Sequence, residues 1–203
     1  MAGPKITAYQ EALKAFLNKT PEEIVIPSGA RYDEAKRLYS VNYCGMHYSI
    51  EQDSGIITPS DSAEKLNNND ETLIMQYLTQ SSGIPPRGKW INFLQLPGGE
   101  LHLLPFKNDA LYPLAKMFGT DADAFFSVSR SFSGERIEVG DYAVLIPAFP
   151  KIPLVVALWM ADDEFPAKSN ILFDETAPLH LSTASLWVLG IELVIKMMRS
   201  NNS

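Results

Sequence analysis

The chain has 203 residues, of which 46% are hydrophobic and 20% charged, and its net charge is −7. A chain of this size and composition buries roughly 70% of its extended surface, so disorder is expected only at the ends. No cluster of lysines or arginines supplies the basic stripe that a phosphate backbone requires, which argues against a nucleic-acid partner.

The single cysteine, Cys44, rules out an intrachain disulfide and suits a reducing cytoplasm. Met1-Ala-Gly-Pro-Lys5 lacks the apolar core of a signal peptide. The most apolar stretch, Leu186 to Met198, is interrupted by Glu192 and Lys196 and is too short to span a bilayer. One domain over residues 1–203 is expected, cytoplasmic and without a membrane segment.

Ile6, Tyr9, Leu13, Phe16 and Leu17 recur at helical spacing, which predicts an amphipathic first helix. Thr20-Pro21-Glu22-Glu23 has the form of a capping box opening a second, short helix that ends near Pro27 and Gly29. Tyr39, Val41 and Tyr43, then Met46, Tyr48 and Ile50, alternate on either side of Cys44-Gly45, the pattern of an antiparallel hairpin. Gln52 to Gly55 reads as another turn and Ile56-Ile57 as a third strand of a meander. Pro59 to Asp70 is polar and asparagine-rich, the pattern of a long surface loop. A helix carrying Leu73, Ile74, Tyr77 and Leu78 follows, then a strand over Lys89 to Leu96, and two helices, one centred on Leu111, Leu114 and Met117 and one from Thr120 to Gly134.

Ala143 to Ile146 and Leu154 to Trp159 are continuous valine-rich runs, typical of strands buried on both faces. The prolines between them, Pro147, Pro150 and Pro153, are expected to block regular pairing through the connection. After a short segment, Ile171 to Phe173, the last helix is apolar nearly all round, its polar stripe being only Ser185, Glu192, Lys196 and Arg199, so it should lie in the core. The class read from this order is α+β, with a mixed, mostly antiparallel sheet covered by four or five helices and a buried C-terminal helix.

Neither GxGxxG nor GxxxxGK[ST] occurs, and there is no GxSxG elbow or HExxH pair. Cys44-Gly-Met-His47 has the form of half a zinc site, with His102 and His180 as distant recruits. A tight turn with a small buried thiol is the simpler reading, and a Cys–His nucleophilic pair is no better supported.

The densest chemical signal is acidic. Asp162, Asp163, Glu164, Asp174 and Glu175 place five carboxylates in fourteen positions, the first three directly after a predicted buried strand. Carboxylates held together repel, so a divalent cation, a base, a helix amino terminus or a raised pKa must offset the repulsion. Asp162, Asp163 or Glu164 with Asp174 would serve as hard oxygen ligands for Mg²⁺ or Ca²⁺, or as an acid–base pair. The plainer alternative is a solvated turn with one acid paired to Arg31, Arg87 or Arg136. Phe165, embedded among the acids, suggests that this segment folds back onto the body.

Gly140-Asp141-Tyr-Ala, Pro150-Lys151-Ile-Pro153, Leu158-Trp159-Met-Ala-Asp-Asp-Glu-Phe-Pro166 and Ile171-Leu-Phe-Asp174 together resemble an uncharacterised prokaryotic family, domain-of-unknown-function family three-seven-eight-six. Tyr77-Leu78, Gly88-Lys-Trp90 and Leu96-Pro-Gly-Gly99 fit the same pattern, so the resemblance covers nearly the whole chain. One departure is Ala161, where the family tends to carry Gly. Some relatives resemble fusions to a four-cysteine iron–sulfur module, which implies an accessory role in anaerobic redox or corrinoid metabolism. With one cysteine, this chain cannot hold such a cluster alone.

The leading expectation is therefore a non-catalytic binding or accessory module for a small molecule or redox protein partner, its cofactor unspecified. Tyr142, Trp159, Asp162, Asp163, Glu164, Asp174 and His180 are the candidate ligand-binding residues. The alternatives are a carboxylate-dependent enzyme, with or without a divalent metal, and a structural partner of a larger complex.

Overall fold

A computed structural model of the chain describes residues 6–59 and 66–201. Thr7 caps the first helix, α1 (Ala8–Leu17), in a reciprocal box with Gln10. The Thr20 box opens α2 (Pro21–Ser28) as its spelling indicates, Thr20 N–H donating to Glu23 Oε2 at 2.8 Å.

Four strands then form an antiparallel meander, β1 (Arg31–Asp33), β2 (Leu38–Tyr43), β3 (Met46–Glu51) and β4 (Ile57–Pro59), in that spatial order. The β2–β3 register places Tyr43 opposite Met46. Cys44 and Gly45 make the turn with φ of 48° and 79°, and a Cβ on Gly45 would stand 2.5 Å from the Phe132 Cα. Only glycine fits there.

Much of the asparagine-rich tract lies outside the described residues, but Asn67 is a helix cap rather than loop. It opens α3 (Asn68–Gln80), its side chain accepting from Asp70 N–H at 2.9 Å. The strand expected over Lys89 to Leu96 is shorter, β5 (Trp90–Asn92), because Asn92 caps a 3₁₀ turn (Phe93–Gln95) that leads the chain away from the sheet. Next comes α4 (Leu103–Phe106), which runs through a π-helical turn (Lys107–Leu111) into α5 (Tyr112–Phe118). Pro113 has no N–H to give the preceding turn, and the wider π turn accommodates it.

After α6 (Ala122–Arg130) come β6 (Glu135–Ile137), β7 (Tyr142–Phe149), β8 (Ile152–Trp159) and β9 (Lys168–Asp174). The second sheet has the order β5-β9-β8-β7-β6, with every neighbouring pair antiparallel. The strands are thus divided between two sheets. Pairing of β7 with β8 continues through Pro147 opposite Pro153 and is irregular only between Pro147 and Phe149. These prolines do not block it, because each stands just past the point where the outer neighbours β6 and β9 stop pairing, so no ladder donor is lost.

The last helix, α7 (Thr183–Asn201), is buried along most of its length. One buried cluster draws on both sheets and their helices. The sheets meet where Cys44 N–H donates to Ala148 O at 2.9 Å, and Tyr77 stacks on Phe149 with centroids 4.2 Å apart. Among the described residues no helix is long and apolar enough to cross a membrane.

Candidate functional site

The candidate residues fall at two ends of one strand. Trp159 ends β8 opposite Lys168, which begins β9, and Asp162 to Glu164 lie in the loop between them. Asp174 ends β9 opposite Trp90. Six residues of extended chain, about 20 Å, therefore separate Asp174 from the loop acids. Among the described residues no three His, Cys, Asp or Glu side chains come together in a way that could hold a metal ion.

At the loop end the acids face solvent. Asp162 is engaged by its own turn, accepting from Glu164 N–H at 2.9 Å and Phe165 N–H at 2.6 Å. Those two bonds hold its carboxyl below the usual range. Phe165 is 57% exposed, so it does not fold onto the body as its setting suggested. Order in this loop comes from hydrogen bonds. Met160 N–H donates to Asp141 Oδ2 at 2.8 Å and Ala161 N–H to Gly119 O at 3.0 Å. Trp159 and Tyr142 are each 38% exposed. The Tyr142 ring meets Phe126 edge-on, and the Trp159 indole lies across Gly140, where a Cβ would come within 3.1 Å of it.

Asp174, at the other end, is wholly buried and fully used. It accepts from Arg87 N–H at 3.0 Å, Gly88 N–H at 2.7 Å, Thr176 N–H at 3.0 Å and Thr176 Oγ1 at 2.7 Å. Burial pushes its pKa up, but these four bonds outweigh burial and leave it lowered. Nearby, Glu175 takes the pairing expected of Arg87, at 3.2 Å, and adds Lys89 at 2.7 Å. His180 is buried, with Nδ1 2.8 Å from Ser81 Oγ, and burial lowers its pKa. Arg136 lies over the Phe126 ring at 3.7 Å.

Two features were missed in the sequence. One is a buried polar cluster built on the α7 stripe. Lys196 Nζ donates to Asp70 Oδ2 at 3.0 Å, Tyr43 OH to Asp70 Oδ1 at 2.7 Å, and Asn67 and Asn69 donate to Glu192 at 2.9 and 2.7 Å. Burial, with Lys196 partly opposing it, pushes the neighbouring Cys44 thiol up to about 12. The signal available was Glu192 and Lys196 four apart on an otherwise apolar helix.

The other is the outer face of the five-stranded sheet. The inner face, with Val144, Ile146, Leu154, Val156, Leu158, Ile171 and Phe173, belongs to the main core. On the outer face the register sets Pro147 and Pro153 in one row, Leu145, Val155 and Leu172 in the next, and Ile137, Ala143 and Ala157 in a third. Trp90 flanks this array on β5, and Trp159 stands in a fourth row. Among the described residues, Ala143, Val155 and Ala157 form a small buried cluster shielded by the hydrophobic side chains of Trp90, Ile137, Val139, Leu145 and Leu172, all from the sheet or the turn preceding β7. Those shielding residues are themselves only partly buried. A one-sided antiparallel sheet ordinarily shows alternation with polar side chains outward. Here the centre of the outer face is apolar as well, with Glu135, Asn92, Asn170 and Lys168 at the ends of its rows, and among the described residues no helix residue belongs to its apolar cluster. Exposed acids border the outer face: Glu135 on β6, Glu138 and Asp141 in the β6–β7 turn, and Asp162 to Glu164 beyond Trp159.

A search of curated proteins and a search of solved structures found no match. The family model described as "Domain of unknown function (DUF3786)" matches residues 20–196, and the chain therefore belongs to that family.

Proposed function

We propose that the protein is an accessory module that binds another protein through the outer face of its five-stranded sheet, without catalysis of its own. The observation that carries this reading is the set of partly exposed apolar side chains Trp90, Ile137, Val139, Leu145 and Leu172, which close over the buried Ala143, Val155 and Ala157 and, among the described residues, have no helix in their cluster. The three long strands, about 4.8 Å apart, and four rows about 6.8 Å apart span about 200 Å² of flat sheet, which the short edge strands β5 and β6 widen over part of its length. A standard complex buries about 800 Å² per partner, so the occupant must also reach the rim. The β6–β7 turn and the β8–β9 loop bring exposed acids to that rim, with Lys168 opposite Trp159 as a cation among them, and the whole chain carries −7. The matching partner has an apolar centre ringed by lysines or arginines. A second copy would bring acid against acid. An iron–sulfur or corrinoid redox protein is the partner class that the family resemblance puts first for testing, in a reducing compartment that suits Cys44.

The test is native pull-down with the wild-type chain, Leu145→Lys and Trp159→Ala, alongside sedimentation of the purified protein. A partner held at low salt, released by about 0.3 M salt and lost with Leu145→Lys at an unchanged melting midpoint supports the proposal. Capture indifferent to both substitutions overturns it. So does a dimer of the purified chain that Leu145→Lys dissociates.

A further inference from the structure

Beside the π turn the protein has a small cleft of about 280 Å³ that the reading above does not use. It exists because β5 stops early. β5 pairs with β9 only over Leu172 to Asp174, and after Asn92 the 3₁₀ turn carries the chain off. Ser169 and Asn170 are left without a strand on that side. The π turn fills in behind them, tied to β9 by Ser169 Oγ donating to Leu111 O at 2.6 Å. Phe93, Leu103 and Leu111 give the cleft apolar walls, and Asn92, Lys107 and Asn170 bring polar groups to it.

The side chains at the cleft offer donors that have no acceptor among the described residues. Asn92 Oδ1 is taken by Gln95 N–H at 3.2 Å, and Asn170 Oδ1 by Ile171 N–H at 2.9 Å, so each side chain has its amide N–H₂ left to give. Lys107 is partly buried and makes no ion pair among the described residues. No carboxylate lines the cleft. One uncompensated cation and two amide donors around an apolar pocket suit a single negative charge attached to a hydrocarbon.

From this we infer that the cleft at Asn92, Lys107 and Asn170 binds a small monocarboxylate with a short apolar tail, the carboxylate on Lys107 and the tail against Phe93, Leu103 and Leu111. A phosphate would bring a second charge with no second cation to meet it, and its tetrahedral oxygens would leave the apolar walls uncovered.

Hexanoate is the probe, with hexanamide, acetate and inorganic phosphate as controls at matched ionic strength, read by calorimetric titration and thermal melting. Hexanoate should bind and raise the midpoint, while the neutral amide, the tail-less acid and phosphate do so at least tenfold more weakly. Lys107→Gln should cost tenfold or more in hexanoate affinity without lowering the ligand-free midpoint, since Lys107 has no ion pair to lose. Lys107→Arg should restore most of the binding. Trp159→Ala should leave it unchanged, which separates failure here from failure of the docking face. No hexanoate binding, phosphate binding more tightly than hexanoate, or full affinity in Lys107→Gln would each overturn the inference.

Discussion

Replacing Asp174 with Asn is predicted to destabilise the protein by about 3–6 kcal/mol. The buried carboxylate takes two N–H donors on one oxygen, from Arg87 and Gly88, and the Thr176 N–H and hydroxyl on the other. Asparagine keeps the shape but turns one oxygen into a donor. With its carbonyl toward Thr176, the new amide confronts the N–H groups of Arg87 and Gly88. Two charge-assisted hydrogen bonds, each about 1.5–3 kcal/mol, are then lost. For a domain of this size that is a fall of about 6–24 °C in melting temperature. Urea unfolding near neutral pH should show a lower midpoint at unchanged slope. The folded carboxyl has a lowered pKa, so the unfolded chain takes up the proton first. The stabilisation is thus complete above the ordinary aspartate value of about 3.9 and disappears as pH falls through the folded value. The gap between wild type and Asp174→Asn should be wide at about pH 6 and narrower toward about pH 3. A variant within about 0.5 kcal/mol of wild type at neutral pH, or a gap that does not narrow in acid, would refute the reasoning.

Lys196→Met should cost about 3–5 kcal/mol, because it strands the Asp70 carboxylate in the core. Adding Asp70→Asn to that variant should recover part of the loss, and a double-mutant cycle in urea that showed no coupling would contradict this account. The Cys44 thiol, pushed up to about 12 by burial, should be inert to a disulfide reagent near neutral pH in the native state and react fully once the chain is unfolded. Rapid modification of the folded protein would show that the β2–β3 turn opens.

Where the fold was legible, the signal was local. Tyr39, Val41 and Tyr43 alternate against Met46, Tyr48 and Ile50 within one hairpin, and the Thr20 box closes over three residues. Strands of three residues, Arg31–Asp33 and Glu135–Ile137, are too short to establish a period and passed unseen. The valine-rich runs are buried on both faces as their spelling indicates: Leu154, Val156 and Leu158 on the inner face and Val155 and Ala157 on the outer one are all closed to solvent. Apolar spelling reports that a face avoids water, not what shields it, and on the outer face the shielding comes from neighbouring side chains such as Trp90, Val139 and Leu172. Glu192 and Lys196 could be seen as a stripe, but their partners lie in α3, more than a hundred positions away. Five acids in fourteen positions invited a shared site, yet most of the interval is β9, and an extended strand carries its ends apart rather than together. Phe165 misled for a related reason. An Asx turn orders a loop from within, so no buried anchor is required.

The tie between Asp70 and Lys196 spans 126 positions, and it has a consequence for how the protein is made. While synthesis proceeds, the amino-terminal meander and α3 emerge with a carboxylate aimed at a cation that has not yet left the ribosome. Until the final helix arrives, that half of the molecule must keep Asp70 wet, and so cannot close its own interior. Closure of the amino-terminal half therefore waits for α7, which supplies Lys196. Fragments ending before α7 should stay soft and prone to proteolysis, however native their local hairpins.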